Sequence, residues 1–365
     1  MVDALSTPAA PARKPRRLPR MTIEVRRAVS PGLRFGSIAG AVLVGLAVSA
    51  AILVLAGVPA SDLLNEFIIT TVLDPTNLKA VLVQTAPLML VGLSAAMAFR
   101  VRFWNLGIEG QMIFGGIGAT AVSLSHIGPD STRLLLMFVA AAAAGAFWAA
   151  IPALLKLRLN VNEIISTLLL NYVAYDVLLH LLYGAWKDQD GFPHSLKYAA
   201  SELLPDIAPG FGSGLAIGLA AVLVVFYLTS RSRAGFYMRF VSANPNVAEA
   251  LGAPVAKLVF GAVLLSGALA ATAGFVISSG EEGRLTQTFF QGFGVSGVLI
   301  GFLARNNPIA AAVVAALMSV LVTAGQNLQV FYSVPSAMVQ LIQAIIVMCV
   351  AASDFLTQHR LRWSR

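Results

Sequence analysis

Ten almost uncharged, mostly apolar runs limit what this chain can fold into, at about 37–57, 78–98, 108–125, 134–155, 161–182, 214–229, 258–278, 286–304, 309–328 and 335–352. One bilayer crossing takes roughly 20 such residues. With 58 % of its 365 residues hydrophobic and 12 % charged, the chain spends nearly all its apolar positions on these runs and has no room for a soluble catalytic domain. The first run precedes small residues at Val58 and Ala60, as a signal peptide would. Its 21 residues exceed a signal core of roughly 7–15, so it reads as a retained helix. The expected fold is an all-α polytopic membrane protein of about ten transmembrane helices.

Charge placement sets the expected topology. Eight of the 25 Lys and Arg precede the first run, and 20 of the 25 fall on one side if the chain crosses ten times. Ten acidic residues, among them Asp188, Asp190, Glu202, Asp206 and Glu281, fall on the other. Cytoplasmic segments carry the excess of basic residues, so both termini are expected in the cytoplasm. This divides the chain into a basic tail without fixed structure (1–34), a membrane domain (35–357) and a second basic tail (358–365).

Two connections are long, an external one over 183–213 and a cytoplasmic one over 230–257. The latter carries a helix signal: Asn244 can cap, Pro245 suits the first helical position, Val247, Ala248, Glu249 and Ala250 continue, and Gly252 and Pro254 end it. About two turns are too few to be stable alone, so packing or a partner must hold them.

Most enzyme chemistry is excluded. The single cysteine, Cys349, allows no disulfide framework or multi-cysteine metal site. His126, His180, His194 and His359 give no ligand pair at helical spacing. No Walker A loop, H-E-x-x-H or G-x-S-x-G occurs, so ATP, if used, is bound by another chain.

Polar residues inside the apolar runs carry the functional reading. Asn105 and Glu109 share one helical face beside Gln111 and a glycine cluster (Gly107, Gly110, Gly115, Gly116, Gly118), which suits a broken or re-entrant helix lining a pathway. Glu109 pairing with Arg100 or Arg102 at the interface is the plainer alternative. Asn171 lies at mid-depth of the fifth run, with Tyr172, Tyr175 and Asp176 on neighbouring turns. That stripe suits either interhelical hydrogen bonds or a planar, hydrogen-bonding solute. Gln84, Gln326 and Asn327 are weaker cases. GxxxG pairs at Gly36/Gly40, Gly214/Gly218 and Gly297/Gly301 allow close helix approach.

Three classes fit these residues: the membrane subunit of a primary transporter, a secondary transporter using Asp176 for proton coupling, and an intramembrane enzyme. No catalytic groups converge for the last, and the short Asn-Pro helix favours the first.

The stretch Phe99 to Gln111, F-R-V-R-F-W-N-L-G-I-E-G-Q, resembles the F-R-x-x-x-F-N-I-G-x-E-G-Q signature of the nucleoside branch of the sugar/branched-chain amino-acid ABC permeases. Asn162 to Tyr172, N-E-I-I-S-T-L-L-L-N-Y, is similar to that branch's N-E-x-I-x-T-L-M-L-N-Y, and Asn244 to Gly252 resembles its coupling helix. Gly292 to Gly294 with Asn307 and Pro308 resemble a further motif, with Val295 in place of its Phe. Trp104 and the run Leu299 to Ala304 depart from the pattern. The resemblance implies a type II-like permease subunit of a bacterial inner-membrane ABC importer, with helices 2–5 and 7–10 as an inverted repeat. It implies partners as well: a cytoplasmic ATPase carrying ATP and Mg, a second permease (a shorter paralogue), and an external binding lipoprotein of the basic-membrane-protein type. No cofactor is expected in this chain. Sugar-transporting relatives lack the N-x-G-x-E-G-Q stretch, so the resemblance favours nucleosides, with simple sugars as the alternative. The implied solute pathway includes Gln84, Asn105, Glu109, Gln111, Asn171, Tyr172 and Tyr175. The implied ATPase contact includes Asn244, Pro245, Ala248, Glu249, Ala250 and Gly252.

Overall fold

The computed structural model describes residues 20–25, 30–188, 191–208 and 211–364. Each of the ten apolar runs holds a helix: α1 (Pro31–Leu55), α3 (Pro75–Phe99), α4 (Ile108–Leu124), α5 (Asp130–Leu159), α6 (Glu163–Tyr183), α7 (Ser213–Ser230), α10 (Val255–Ile277), α11 (Phe293–Leu303), α12 (Pro308–Tyr332) and α13 (Ser336–Gln358). Three short helices complete the set: α2 (Ala60–Leu64), which widens into a π-helical stretch over Asn65–Leu73, α8 (Arg233–Ala243) and α9 (Pro245–Ala250). Among the described residues, seven helices are long and apolar enough to cross a membrane.

Four helices start on the same local device, α1 among them. In Ser30-Pro31, Asp74-Pro75, Asn244-Pro245 and Asn307-Pro308, the first residue's side chain accepts backbone N–H bonds from the first turn while proline takes the first helical position. Two expectations are corrected. The eighth run shortens to α11, because Gly292 adopts φ 82° and the stretch Arg284 to Gln291 before it is not helical. The tails are not wholly without structure. Residues Arg20–Val25 (β1) pair antiparallel with His359–Ser364 (β4), both reading as alternating apolar and polar positions. Residues 1–19 of the N-terminal tail lie outside the described residues.

The bundle has two ends. One carries the basic connections near residues 100–107, 156–163, 230–255 and 304–308, and the other carries the long connection 183–213. Arg102 hydrogen-bonds the backbone of Ser242 and Ala243, and Arg100 that of Thr229 and Asn306, which fixes the basic end as one surface. At the other end, Lys79 pairs with Asp206 at 2.8 Å.

The most buried helices, α3 and α10, pack against each other at the centre. Around them the contacts exchange: α4 and α5 pack on α10, whereas α11 and α12 pack on α3. Of the flanking helices, α6 packs on α4, while α13 touches α11 but packs mainly on α1. Because α3 starts at one end of the bundle and α10 at the other, this is the packing of two inverted repeats. α4 and α10 approach so closely that a Cβ on Gly115 would sit 2.2 Å from the Ala271 carbonyl, and one on Gly274 2.2 Å from that of Met112. Gly297 and Gly301 seat α11 on Val91 and Ala95 of α3 in the same manner, while Gly36 and Gly40 meet nothing.

The 183–213 connection is folded down over the ends of α4, α5 and α10 on its side of the bundle. A short strand, β2 (Asp206–Ala208), pairs with β3 (Phe211–Gly212). Glu202, fully buried, accepts from Ser123 Oγ at 2.6 Å, from an Arg133 guanidinium nitrogen at 3.0 Å and from the Ala199 N–H at 3.0 Å. Burial alone would raise the Glu202 pKa, but these hydrogen bonds outweigh it and hold the group below its ordinary value. Burial pushes the neighbouring Tyr198 hydroxyl up to about 12, so it stays protonated in its 2.6 Å hydrogen bond with Thr120.

Removing one member of a buried ion pair leaves the other uncompensated, so Arg133→Met should destabilise the protein by about 3 kcal/mol. The double variant Arg133→Met/Glu202→Leu should recover most of that loss in thermal unfolding of the detergent-purified protein. A depressed folded pKa supplies stability above the unfolded value that is lost as pH falls through the folded one. The wild type should therefore weaken below about pH 4 by a contribution that the double variant lacks.

Candidate functional site

After α3 ends, the chain turns back into the bundle. Arg102 sits at φ 57°, and Phe103 and Asn105 are fully buried without being helical. Asn105 donates to Ser266 Oγ at 2.9 Å. Ser266 is the twelfth residue of α10, roughly 16 Å from its start at 1.5 Å per residue. α4 therefore begins inside the bundle, as a re-entrant segment would.

Asn105 and Gln111 pair reciprocally, each carboxamide donating to the other at 2.9 and 3.0 Å. The Asn105 oxygen also accepts the Gly107 N–H at 3.1 Å, and Ser266 is 3.0 Å from Ser94 of α3. Asn171 reaches across from α6: its oxygen accepts from the Gly110 N–H and its nitrogen donates to the Leu106 carbonyl, both at 2.9 Å. Thr167 accepts from the Leu106 N–H. Lys156 donates to the Arg102 carbonyl and pairs with Glu163. These side chains satisfy the backbone of a segment that secondary structure leaves bare. Asn105, Gln111 and Asn171 thus make a polar hub that spends its own hydrogen-bonding capacity.

Glu109 does not pair with Arg100 or Arg102, both of which bind backbone carbonyls instead. Its carboxyl lies against Gly294, hydrogen-bonded to that backbone at the start of α11. A carboxylate there complements the positive end of the helix dipole. Tyr175 packs edge-on against Phe290, with ring centroids 5.7 Å apart. Tyr172 points off the bundle and is 70 % exposed, and Asp176 is also exposed.

Gln84 belongs to a different place. It lines a cavity of about 180 Å³ with Gln291, Gln326, Gln329, Gln340 and Gln343, walled by α3, the start of α11, α12 and α13. Sequence reading found Gln84 and Gln326 and missed the other four. The available signal was one glutamine per turn or so in two apolar runs, Gln326 with Gln329 and Gln340 with Gln343. Asn327 lies outside the cavity, half-buried, with its side-chain nitrogen unpaired.

At the basic end, α9 forms over the span read from sequence. The Asn244 oxygen accepts from the Asn246 and Val247 N–H groups at 3.0 and 3.4 Å, and Gly252 ends the turn at φ 78°. Ala248 is buried, while Val247, Glu249, Ala250 and Leu251 are exposed. The preceding α8 was missed; Gly235, Met238 and Val241, three apart, are its buried face, and Phe236, Tyr237 and Phe240 its exposed one. Among the described residues, no group of His, Cys, Asp and Glu could hold a metal ion.

A helical membrane bundle of two inverted repeats, with an open polar cavity between their helices, is the architecture of a multi-pass solute permease. The chain belongs to the family described as the permease component of branched-chain amino acid transport systems, whose model matches residues 77–351. It is 33 % identical to a glucose ABC transporter permease protein of Haloferax volcanii, over 93 % of each chain. It is 31 % identical to a guanosine ABC transporter permease protein of Bacillus subtilis, covering 74 % of this chain and 79 % of that one. Identity to a nucleoside ABC transporter permease protein of Lactococcus lactis is 27 %, over 73 % and 76 % of the two chains. Members of such a family are transport components, not catalysts.

Losing Asn171 orphans a backbone donor and a backbone acceptor, at about 1–3 kcal/mol each. Asn171→Leu should therefore lower folded protein and solute uptake in equal proportion, measured by fluorescence-detected size exclusion alongside uptake. An uptake loss well beyond the loss of protein would give Asn171 a role at the solute instead.

Proposed function

We propose that this chain is the membrane-spanning permease subunit of an ATP-driven ABC importer of the bacterial inner membrane that carries nucleosides or nucleobase-like solutes. In this reading both termini and the 230–257 segment are cytoplasmic. A separate ATPase chain binds ATP and Mg and grips α9. A second permease, a shorter paralogue, completes the pathway, and an external binding lipoprotein of the basic-membrane-protein type delivers solute to the 183–213 surface.

The observation that carries the reading is the tie between α9 and the signature loop. Arg102 caps the last carbonyls of α8, Ser242 and Ala243, at 2.8 and 2.7 Å, immediately before Asn244 opens α9. From Arg102 the chain runs straight into the Asn105 hub and α4. A displacement of α9 is thereby handed to the helices beside the pathway, which is what alternating access powered from outside the membrane requires. Energy enters only through differential contact of the ATPase with the two states. The exposed Val247, Ala250 and Leu251 around Glu249 form a small apolar surface for such a contact.

The guanosine and nucleoside permeases among the relatives, together with the N-L-G-I-E-G-Q stretch, support nucleosides. The glucose permease, matched over nearly the whole chain, supports simple sugars as the second reading. Uptake of labelled guanosine, uridine and glucose by cells carrying the chain with its neighbouring transport genes tests both. Nucleoside uptake should survive collapse of the proton gradient while ATP is maintained; loss of uptake there would favour a proton-coupled carrier using Asp176.

Glu249→Arg places a charge of the wrong sign in the coupling surface and should abolish uptake and transport-stimulated ATP hydrolysis with expression retained. Arg102→Ala should leave the ATPase bound but cut uptake per ATP hydrolysed by about tenfold, because Arg102 is exposed and its two hydrogen bonds are screened to roughly 0.5–1 kcal/mol each. Unchanged coupling in both variants would refute this route.

A further inference from the structure

Two populations of carboxamides lie inside this bundle. Those of Asn105, Gln111 and Asn171 are spent on backbone and on each other. The six glutamines around the cavity are the opposite case: among the described residues, none of their side chains has a hydrogen-bond partner within the chain. Gln84 is the tenth residue of α3, counted from the end that carries the 183–213 connection. Gln340 and Gln343 lie in the first third of α13, and Gln326 and Gln329 in the last third of α12. The cavity therefore occupies the half of the membrane on that side. An amide facing hydrocarbon without a partner costs several kcal/mol, so six such groups converging on one hollow point to water, solute or both.

No charged side chain lines the hollow, and the nearby Glu109 carboxyl is held at the start of α11. Ser296 also faces it, but its hydroxyl donates to the Gly292 carbonyl. What remains is six neutral carboxamides, each offering a donor and an acceptor, set among the apolar Leu88, Phe293, Val322 and Val339.

We infer that this cavity is the solute-contact surface of the outer half of the pathway. It selects neutral solutes recognised by paired donors and acceptors, such as a nucleobase edge or sugar hydroxyls, and rejects their phosphorylated forms. A phosphate would enter with no cation to pair with it and would pay the desolvation cost in full. The volume is below the roughly 300–1,000 Å³ of a complete small-molecule site and one side is open, so a second permease supplies the facing wall. The nucleoside identity of the solute rests on the function proposed above; the location and the neutrality of the site do not.

The test uses the assembled transporter in membrane vesicles, with Cys349→Ala as background and Gln84→Cys or Gln343→Cys as reporters. A membrane-impermeant methanethiosulfonate added from the outer side should label both, and uridine should slow labelling by about tenfold while uridine monophosphate at the same concentration does not. Gln84→Leu and Gln343→Leu should lower uridine uptake roughly fivefold each, as the loss of about one hydrogen bond apiece predicts, with protein abundance unchanged. Protection by glucose and not by uridine would keep the site and overturn the nucleoside reading. Unchanged uridine uptake in both leucine variants, with no protection by either solute, would overturn the site and leave the nucleoside reading standing. Labelling that appears only when the second permease is omitted would make this face a subunit contact, and the proposal would fall.

Discussion

A stretch of irregular backbone inside a membrane bundle is permitted only if side chains satisfy it, and the rest of this structure hangs on how residues 100–111 meet that condition. Wherever that stretch is shielded from water, each bare N–H or C=O would cost several kcal/mol. Thr167 and Asn171 of α6 take both polar groups of Leu106, Asn105 takes the Gly107 N–H, and Lys156 of α5 takes the Arg102 carbonyl. The donors and acceptors come from different helices, so the segment is satisfied only when α3, α5, α6 and α10 are all in place. It is a joint as well as a loop.

That joint places the two shortened helices. Starting α4 inside the bundle brings Glu109 level with the start of α11, where its carboxyl meets the Gly294 backbone. α4 and α11 are counterparts under the exchange of the two repeats. In permeases of this build, interrupted helices in corresponding positions of the two halves mark the binding region. Here the interruption beside α11 opens onto the glutamine cavity, and the one before α4 leads through Arg102 to α8 and α9. A single run of residues, Arg102 to Gln111, thus lies between the basic end of the molecule and the cavity.

The apolar runs and the charge placement made the helices legible, because length and polarity decide whether a segment crosses a bilayer. Asn244-Pro245 was legible for a local reason: a capping side chain next to a residue with fixed φ needs no tertiary context. The half-helix at 293–303 was not, since Phe289 and Phe290 are as apolar as the helix that follows. Only the conformation of Gly292 and the packing of Phe290 against Tyr175 break the run. α8 escaped because Arg231, Arg233 and Arg239 mask a buried face of only three residues.

The polar residues teach a sharper lesson. Depth along a helix singles out Asn171, yet depth does not say which way an amide points or what it has already bound. Asn171 is among the most conspicuous polar groups of the sequence, and its two functions, donor and acceptor, are both consumed by α4. Gln340 and Gln343 are inconspicuous, and theirs are free. A transporter must release what it binds, so its contact groups have to be left unsatisfied by the protein and kept solvated between turnovers. Groups that are locked by backbone cannot do this without unfolding the joint they hold. The division of labour follows from that constraint: asparagines at the re-entrant segment fix geometry, and glutamines on longer, freer stems line the hollow where hydrogen bonds must be exchanged at each cycle.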